Sequence, residues 1–247
     1  MERLLIFGAT SAIAAEVAEI YARRGARLLL VGRNPEKLAD VARRCARASA
    51  VTTRQADFTR LEANEQLVQD AVSSLGGIDT AIIAHGDLFD QLATERTFAA
   101  AEESLRTNLL SVVSLLIPLA NQMEAARGGR LGVMTSVAGE RGRPRNYTYG
   151  TAKGALNIYL QGLRSRLYPA GVSVTTLKLG PVDTPMTRDH RKHALFGKPS
   201  AVAESIVRAV DAGTPEAFVP SFWRAIMPVV RNTPETLFQR LPFLSGR

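Results

Sequence analysis

Arg3-Leu4-Leu5-Ile6-Phe7-Gly8-Ala9-Thr10-Ser11-Ala12-Ile13-Ala14 decides the fold. An apolar run of strand length ends at a glycine, crosses a tight turn and enters an alanine-rich helical pattern. Working outward, the same rhythm repeats. Apolar runs predict strands at Arg3–Phe7, Arg27–Val31, Val51–Gln55, Thr80–Ala84, Arg130–Thr135, Ser173–Lys178 and Ala217–Val219. Cores such as LLIF, LLLV, AIIA and VTTL are nearly continuous in apolar residues, the pattern of strands covered on both faces. Helical periodicity fills the gaps, over Ala12–Arg24, Pro35–Arg47, Leu61–Ser74, Phe98–Ala126, Tyr147–Tyr168 and Ser200–Asp211. Asn34 before Pro35 reads as an N-cap followed by a first-turn proline. Strand and helix in alternation imply one α/β domain, a doubly wound parallel sheet of about seven strands with helices on both faces. The expected division is residues 1–220 for this domain and 221–247 for an apolar, basic extension.

The bulk properties narrow the function classes. The chain has 247 residues, 46% hydrophobic, with 31 Lys and Arg against 23 Asp and Glu. Its single cysteine, Cys45, excludes an internal disulfide and a cysteine-rich zinc site, and the residue pattern offers no metal site. The basic charges are scattered and no Lys/Arg run reaches five, so a specific nucleic-acid partner is not expected. The apolar run at the N-terminus is too short for a signal peptide. The uncharged stretch Thr107–Met123 carries Asn108, Ser111, Ser114, Asn121 and Gln122 and reads as a buried helix. A cytoplasmic protein is expected, with a peripheral contact at the inner membrane face as the alternative.

The first turn, Gly8 with Thr10, Ser11, Ala12 and Ile13, is a place for a pyrophosphate, because a helix N-terminus offers N–H groups and a positive dipole end. Ala12 and Ala14 stand where glycines are usual. After the second strand, no carboxylate precedes Glu36, but Arg33 is positioned to meet a 2′-phosphate, favouring NADP(H) with NAD(H) as the alternative. Asp57 reads either as an acceptor for an adenine amino group or as a turn residue. In the middle of the chain, Ser136 ends a strand, and Tyr149 and Lys153 lie four apart on one helix face. An ammonium beside the phenol lowers its pKa, so a depressed Tyr149 is expected. Ser136 can polarise a carbonyl.

Taken together, these motifs resemble the short-chain dehydrogenase/reductase family, from about Leu4 to Met186, and imply its Rossmann-like fold. Ala84-His85-Gly86 stands where that family has Asn-Ala-Gly, and Leu179-Gly180-Pro181-Val182-Asp183-Thr184 is similar to its Pro-Gly segment. The resemblance implies catalytic Asn108, Ser136, Tyr149 and Lys153. Asn108 would maintain a water-borne proton path, Tyr149 would donate the proton, and Lys153 would hold the nicotinamide ribose. It implies a cofactor bed of Gly8, Thr10, Ser11, Ala12, Ile13, Arg33, Asp57, Phe58, Ala84, His85, Gly86, Lys153, Gly180, Val182 and Thr184. The implied reaction moves hydride between nicotinamide and a carbonyl or secondary alcohol. A homodimer or homotetramer through Phe98–Ala126 and Tyr147–Tyr168 follows by analogy. A non-catalytic dinucleotide sensor is the competing class.

Two segments bear on the substrate. Arg188, His190, Arg191, Lys192 and His193 read as a basic lid or a solvated loop. In the tail, Phe222, Trp223, Ile226, Met227 and Val230 share one helical face, as do Leu237, Phe238 and Leu241, with Arg224, Arg231 and Arg240 between them. This suits a membrane surface, or docking on the chain's own core or a partner subunit. Pro228 and Pro234 are expected to break the tail into short pieces. With ATSAIA and SVAGERGRPRNYTYGTAKGAL, it is similar to the branch of decaprenylphosphoryl-2-keto-erythro-pentose reductases. That similarity implies a lipid-linked keto sugar, and a smaller ketone or acyl substrate is the alternative.

Overall fold

The computed structural model describes residues 1–187 and 195–242. Seven strands form one parallel sheet: β1 (Arg3–Phe7), β2 (Arg27–Gly32), β3 (Ala50–Gln55), β4 (Thr80–Ile83), β5 (Gly129–Ser136), β6 (Val172–Leu179) and β7 (Glu216–Val219). Their order is β3-β2-β1-β4-β5-β6-β7. The order reverses between β1 and β4, the topological switch point where such sheets bind ligands at their C-terminal ends. The register pairs Phe7 with Val31 and Ile83, so all three strand ends stop at one level.

Helices cover both faces: α1 (Ala12–Arg23), α2 (Pro35–Arg44) and α8 (Pro199–Asp211) on one, α3 (Asn64–Leu75), α6 (Ser111–Ala126) and α7 (Tyr147–Leu167) on the other. Two apolar clusters result. Leu4, Ile6, Leu28 and Leu30 face Ala14, Val17 and Ile206. Leu5, Phe7, Leu29 and Val31 face Val68, Leu115, Leu116 and Leu160. Alternate residues of one strand thus serve opposite layers, which is why these strands show no polar alternation.

The expected long helix from Phe98 is α5 (Phe98–Leu105), a π turn over Arg106–Leu110, and α6. It is long and apolar enough to cross a membrane by length and composition. Val112, Leu115, Leu116, Leu119, Ala120 and Met123 are nevertheless buried in the second cluster. A short helix, α4 (Gln91–Arg96), is capped by Asp90, whose side chain accepts from Leu92 N.

The tail requires a correction. Pro228 does not break it: α9 (Trp223–Asn232) runs through this proline, and only Pro234 separates it from α10 (Glu235–Arg240). Trp223, Met227, Val230 and Phe238 are held against Val137 by burial, and this packing outweighs the lost backbone bond. The expected basic lid at 188–194 lies outside the described residues.

Candidate active site

A cavity of about 320 Å³ opens at the C-terminal ends of β1, β2, β4 and β5. Its nucleotide end begins at Gly8, which adopts φ +80°. A Cβ there would stand 2.6 Å from His85 N, so only glycine allows the turn to pass the backbone after β4. Ser11 caps α1, its Oγ accepting from Ala14 N at 3.3 Å. Gly8, Thr10, Ser11, Ala12 and Ile13 therefore line the cavity with a helix N-terminus. The two alanines differ in consequence. Ala12 is on the wall, whereas Ala14 is fully buried in the core and its methyl faces away from the phosphate turn.

Arg33 and Lys37 line the far end together. Among the described residues neither has a carboxylate partner. Lys37 was not singled out from the sequence. It follows Asn34, whose side chain accepts from Lys37 N at 2.7 Å, and that cap brings the first turn of α2 beside the cavity. The signal was available as a cation one helical turn after Arg33. Asp57 also lines the cavity and serves its own turn, since Oδ1 accepts from Thr59 N at 3.0 Å and Thr59 Oγ1 at 2.8 Å. Burial alone would raise its pKa, but the Thr59 bonds and the Arg33 and Arg60 charges prevail and lower it.

Phe58 and His85 form the next wall, with ring centroids 4.5 Å apart. His85 Nε2 lies 2.8 Å from Ser111 Oγ, which donates its one proton to Thr107 O at 2.7 Å. His85 Nε2 is therefore the donor. Burial, then the Lys153 and Arg33 charges, push its pKa down to about 3, so the ring is neutral at pH 7. The histidine thus fills its place as an anchored neutral ring.

Tyr149 and Lys153 face the cavity from α7, with Ala84, Gly86 and Thr184 nearby. Lys153 is buried, its Nζ donating to Met134 O at 3.3 Å and lying 5.6 Å from the centre of the Tyr149 ring. Ser136 Oγ donates to Leu179 O at 3.3 Å and accepts from Ala138 N at 3.1 Å, and its hydroxyl acts on the Tyr149 phenol by pulling that pKa down. Asn108 sits behind them, fully buried in the π turn. Its Nδ2 donates to Asp87 O at 2.9 Å and Ser104 O at 3.1 Å, and its Oδ1 accepts from Asp87 N at 3.0 Å. Gly86 separates it from the lysine: a Cβ at 86 would be 2.8 Å from Asn108 Oδ1 and 3.2 Å from Lys153 Nζ. A π turn at a functional residue is a recurring device for aiming one side chain inward.

The depth of α7 is set by backbone contact. A Cβ on Gly139 would lie 2.6 Å from Gly154 N, and one on Gly150 would lie 2.8 Å from Ala138 O. The glycines let the Ser136 turn rest directly on the helix that carries Tyr149 and Lys153.

One expectation changes here. The expected fall in the Tyr149 pKa does not occur in the ligand-free protein. Burial raises it to about 12 against the opposing Ser136 bond, with Asp87 adding to the rise. The lysine yields instead, pushed down to about 8 by burial. Gly180 and Val182 are not on the cavity wall. Gly180 packs against the Trp223 indole, where a side chain would collide, and Val182 is buried in the core. Thr184 alone of that segment's three expected residues lines the cavity.

The residues present fit a dinucleotide. The positive-φ glycine, the helix N-terminus and the two exposed cations are spaced along one cavity that ends at the tyrosine and lysine. Comparison with known proteins agrees. The short chain dehydrogenase family model matches residues 2–195. An uncharacterized oxidoreductase of Mycobacterium tuberculosis is 37% identical over 241 residues, covering 97% of this chain and 96% of its own. One from Streptomyces coelicolor is 30% identical over 239 residues, covering 96% and 95%. A solved short chain dehydrogenase/reductase family protein superposes with TM-score 0.78 at 21% identity, over 88% of this chain and 94% of its own, a likeness in fold. With the family model over residues 2–195 and relatives 37% and 30% identical along nearly the whole chain, this chain is an oxidoreductase of the short-chain dehydrogenase/reductase family.

Proposed function

We propose that the protein is an NADP(H)-preferring carbonyl reductase, interconverting a ketone and its secondary alcohol. The carrying observation is that Tyr149 and Lys153 stand in the same cavity as Arg33 and Lys37. The nicotinamide supplies the hydride when bound. The chain's residues do the rest. Gly8 through Ile13 cradle the pyrophosphate, Arg33 and Lys37 pair with a 2′-phosphate, and Thr184 borders the carboxamide. Ser136 Oγ turns its one proton from Leu179 O to the substrate oxygen. Tyr149, protonated at neutral pH because its pKa is about 12, passes its phenolic proton to that oxygen. Lys153 supports the tyrosine electrostatically, and Asn108 holds the backbone at Asp87 on the proton path.

The test is equilibrium titration with NADPH and NADH of the wild type and Arg33→Ala. Tighter NADPH binding that the variant weakens supports the reading. Equal or better NADH binding overturns the preference, and no binding of either overturns the enzyme assignment.

A lipid-linked keto sugar is the substrate reading favoured by the tail. With one face of α9 and α10 on the core, Phe222, Val229 and Leu237 remain exposed beside Arg224 and Arg240. Such a face suits an anionic membrane surface. Co-sedimentation with phosphatidylglycerol vesicles tests it, and no binding at low salt favours a smaller ketone. A homodimer or homotetramer is proposed through the outer faces of α5, α6 and α7, where Phe98 is 79% and Ile158 73% exposed. A monomer in sedimentation equilibrium would refute it.

A further inference from the structure

The tail touches both segments that orient the catalytic serine. Ser136 Oγ is fixed by Ala138 N on one side and Leu179 O on the other. Val137 is buried with Trp223, Met227, Val230 and Phe238. Gly180, next to Leu179, is pressed against the Trp223 indole, whose Nε1 is buried with no acceptor among the described residues. The indole is therefore a wedge, seated by shape and not by a hydrogen bond.

The residue after the serine turn fastens this wedge. Arg141 Nη1 donates to Val230 O at 2.7 Å and also to Thr233 O. Its Nη2 meets Glu235 Oε2 at 2.6 Å, and its guanidinium carbon lies 3.8 Å from the centre of the Phe238 ring. All of these partners belong to the tail. Arg141 ends α9 by taking its last carbonyls and anchors α10 through one ring and one carboxylate. Glu140 adds a second tie. It is buried between Lys178 Nζ at 2.9 Å and Arg231 Nη1 at 3.3 Å, and it accepts from Asn157 Nδ2 at 3.2 Å. One turn of chain thus joins the sheet, the catalytic helix and the tail.

We infer that α9 and α10 form a latch that sets the position of Ser136 relative to Tyr149, with Arg141 as its positioning residue. The inference rests on the oxidoreductase reading above. Arg141 does not line the cavity. It governs the chemical step through the Ser136–Glu140 turn.

The experiment uses the full chain with Arg141→Ala, Arg141→Lys and the milder Phe238→Leu. Amide hydrogen exchange is followed, together with steady-state reduction of isatin by NADPH. In Arg141→Ala, exchange should quicken about tenfold in residues 136–141 and 179–182, and stay unchanged in residues 8–15. The kcat should fall about tenfold with KM and NADPH affinity unchanged, the pattern of a loss felt at the reacting oxygen. Arg141→Lys should recover part of kcat by keeping the charge against Glu235 and Phe238. Phe238→Leu should show the same pattern in weaker form, and it carries the test if Arg141→Ala does not fold. Faster exchange confined to residues 223–240, or an unchanged kcat with a released tail, overturns the latch. If the wild type does not reduce isatin, exchange at 136–141 and 179–182 alone decides whether the tail holds the serine turn.

Discussion

The two ends of the cavity are built on opposite principles. At the nucleotide end the cations Arg33 and Lys37 are exposed and, among the described residues, form no ion pair, and they stand on a loop and a first helical turn. At the catalytic end Lys153 and Asn108 are buried and hydrogen-bonded, and the serine turn is backed by a fastened tail. Exposed cations keep their hydration until an anion arrives, so they serve recognition and bear substitution well. Buried groups have lost water beforehand, so each small change alters both pKa and geometry. Specificity for the cofactor is therefore adjustable, while the chemistry is rigid.

The contrast can be broken most sharply at Tyr149. Tyr149→Phe should lower kcat by about a thousandfold or more while NADPH affinity, measured by fluorescence titration, stays unchanged. Gly8→Ala should come next. Its Cβ would strike the His85 backbone at 2.6 Å and φ is +80°, so stability should drop about 1–3 kcal/mol and cofactor affinity should fall with it. Thermal denaturation and titration in parallel would check both.

Lys153→Met sharpens the comparison by separating stability from activity. The lysine pKa is about 8 in the fold against an ordinary 10.5. The folded state disfavours the ammonium, and this penalty is fully present below pH 8 and gone above 10.5. The ligand-free variant should then be about 1–3 kcal/mol more stable at pH 7, a gain that shrinks between pH 8 and 10.5, while turnover is lost. Denaturant unfolding across that window would show it, and a variant less stable at pH 7 would contradict it. The smallest effect belongs to the exposed end. Arg33→Ala should weaken NADPH about 5- to 20-fold and Lys37→Ala less, with NADH unaffected by either.

Legibility in the sequence followed the same division. The strands were readable because burial on both faces makes their residues uniformly apolar, and Ser136, Tyr149 and Lys153 because spacing along one strand and one helix fixes them. What escaped depends on long-range packing. The rise in the Tyr149 pKa comes from desolvation by distant elements. The π turn around Asn108 leaves the apolar pattern of the long helix intact. Arg141 looks like any loop arginine, since its hydrogen-bonding partners lie 89 to 94 residues away. Pro228 misled because local propensity was overruled by three buried side chains.

The contact between Gly139 and Gly154, with Gly150 beside Ala138, carries a consequence for how this chain can change. The spacing of its reactive groups is defined by hydrogen atoms where other chains have methyl groups. No pair of compensating side chains can restore that spacing once either glycine is replaced. Diversification must then proceed at the rim, in the segments that meet the substrate, while the interval between serine and tyrosine passes unaltered from one descendant to the next.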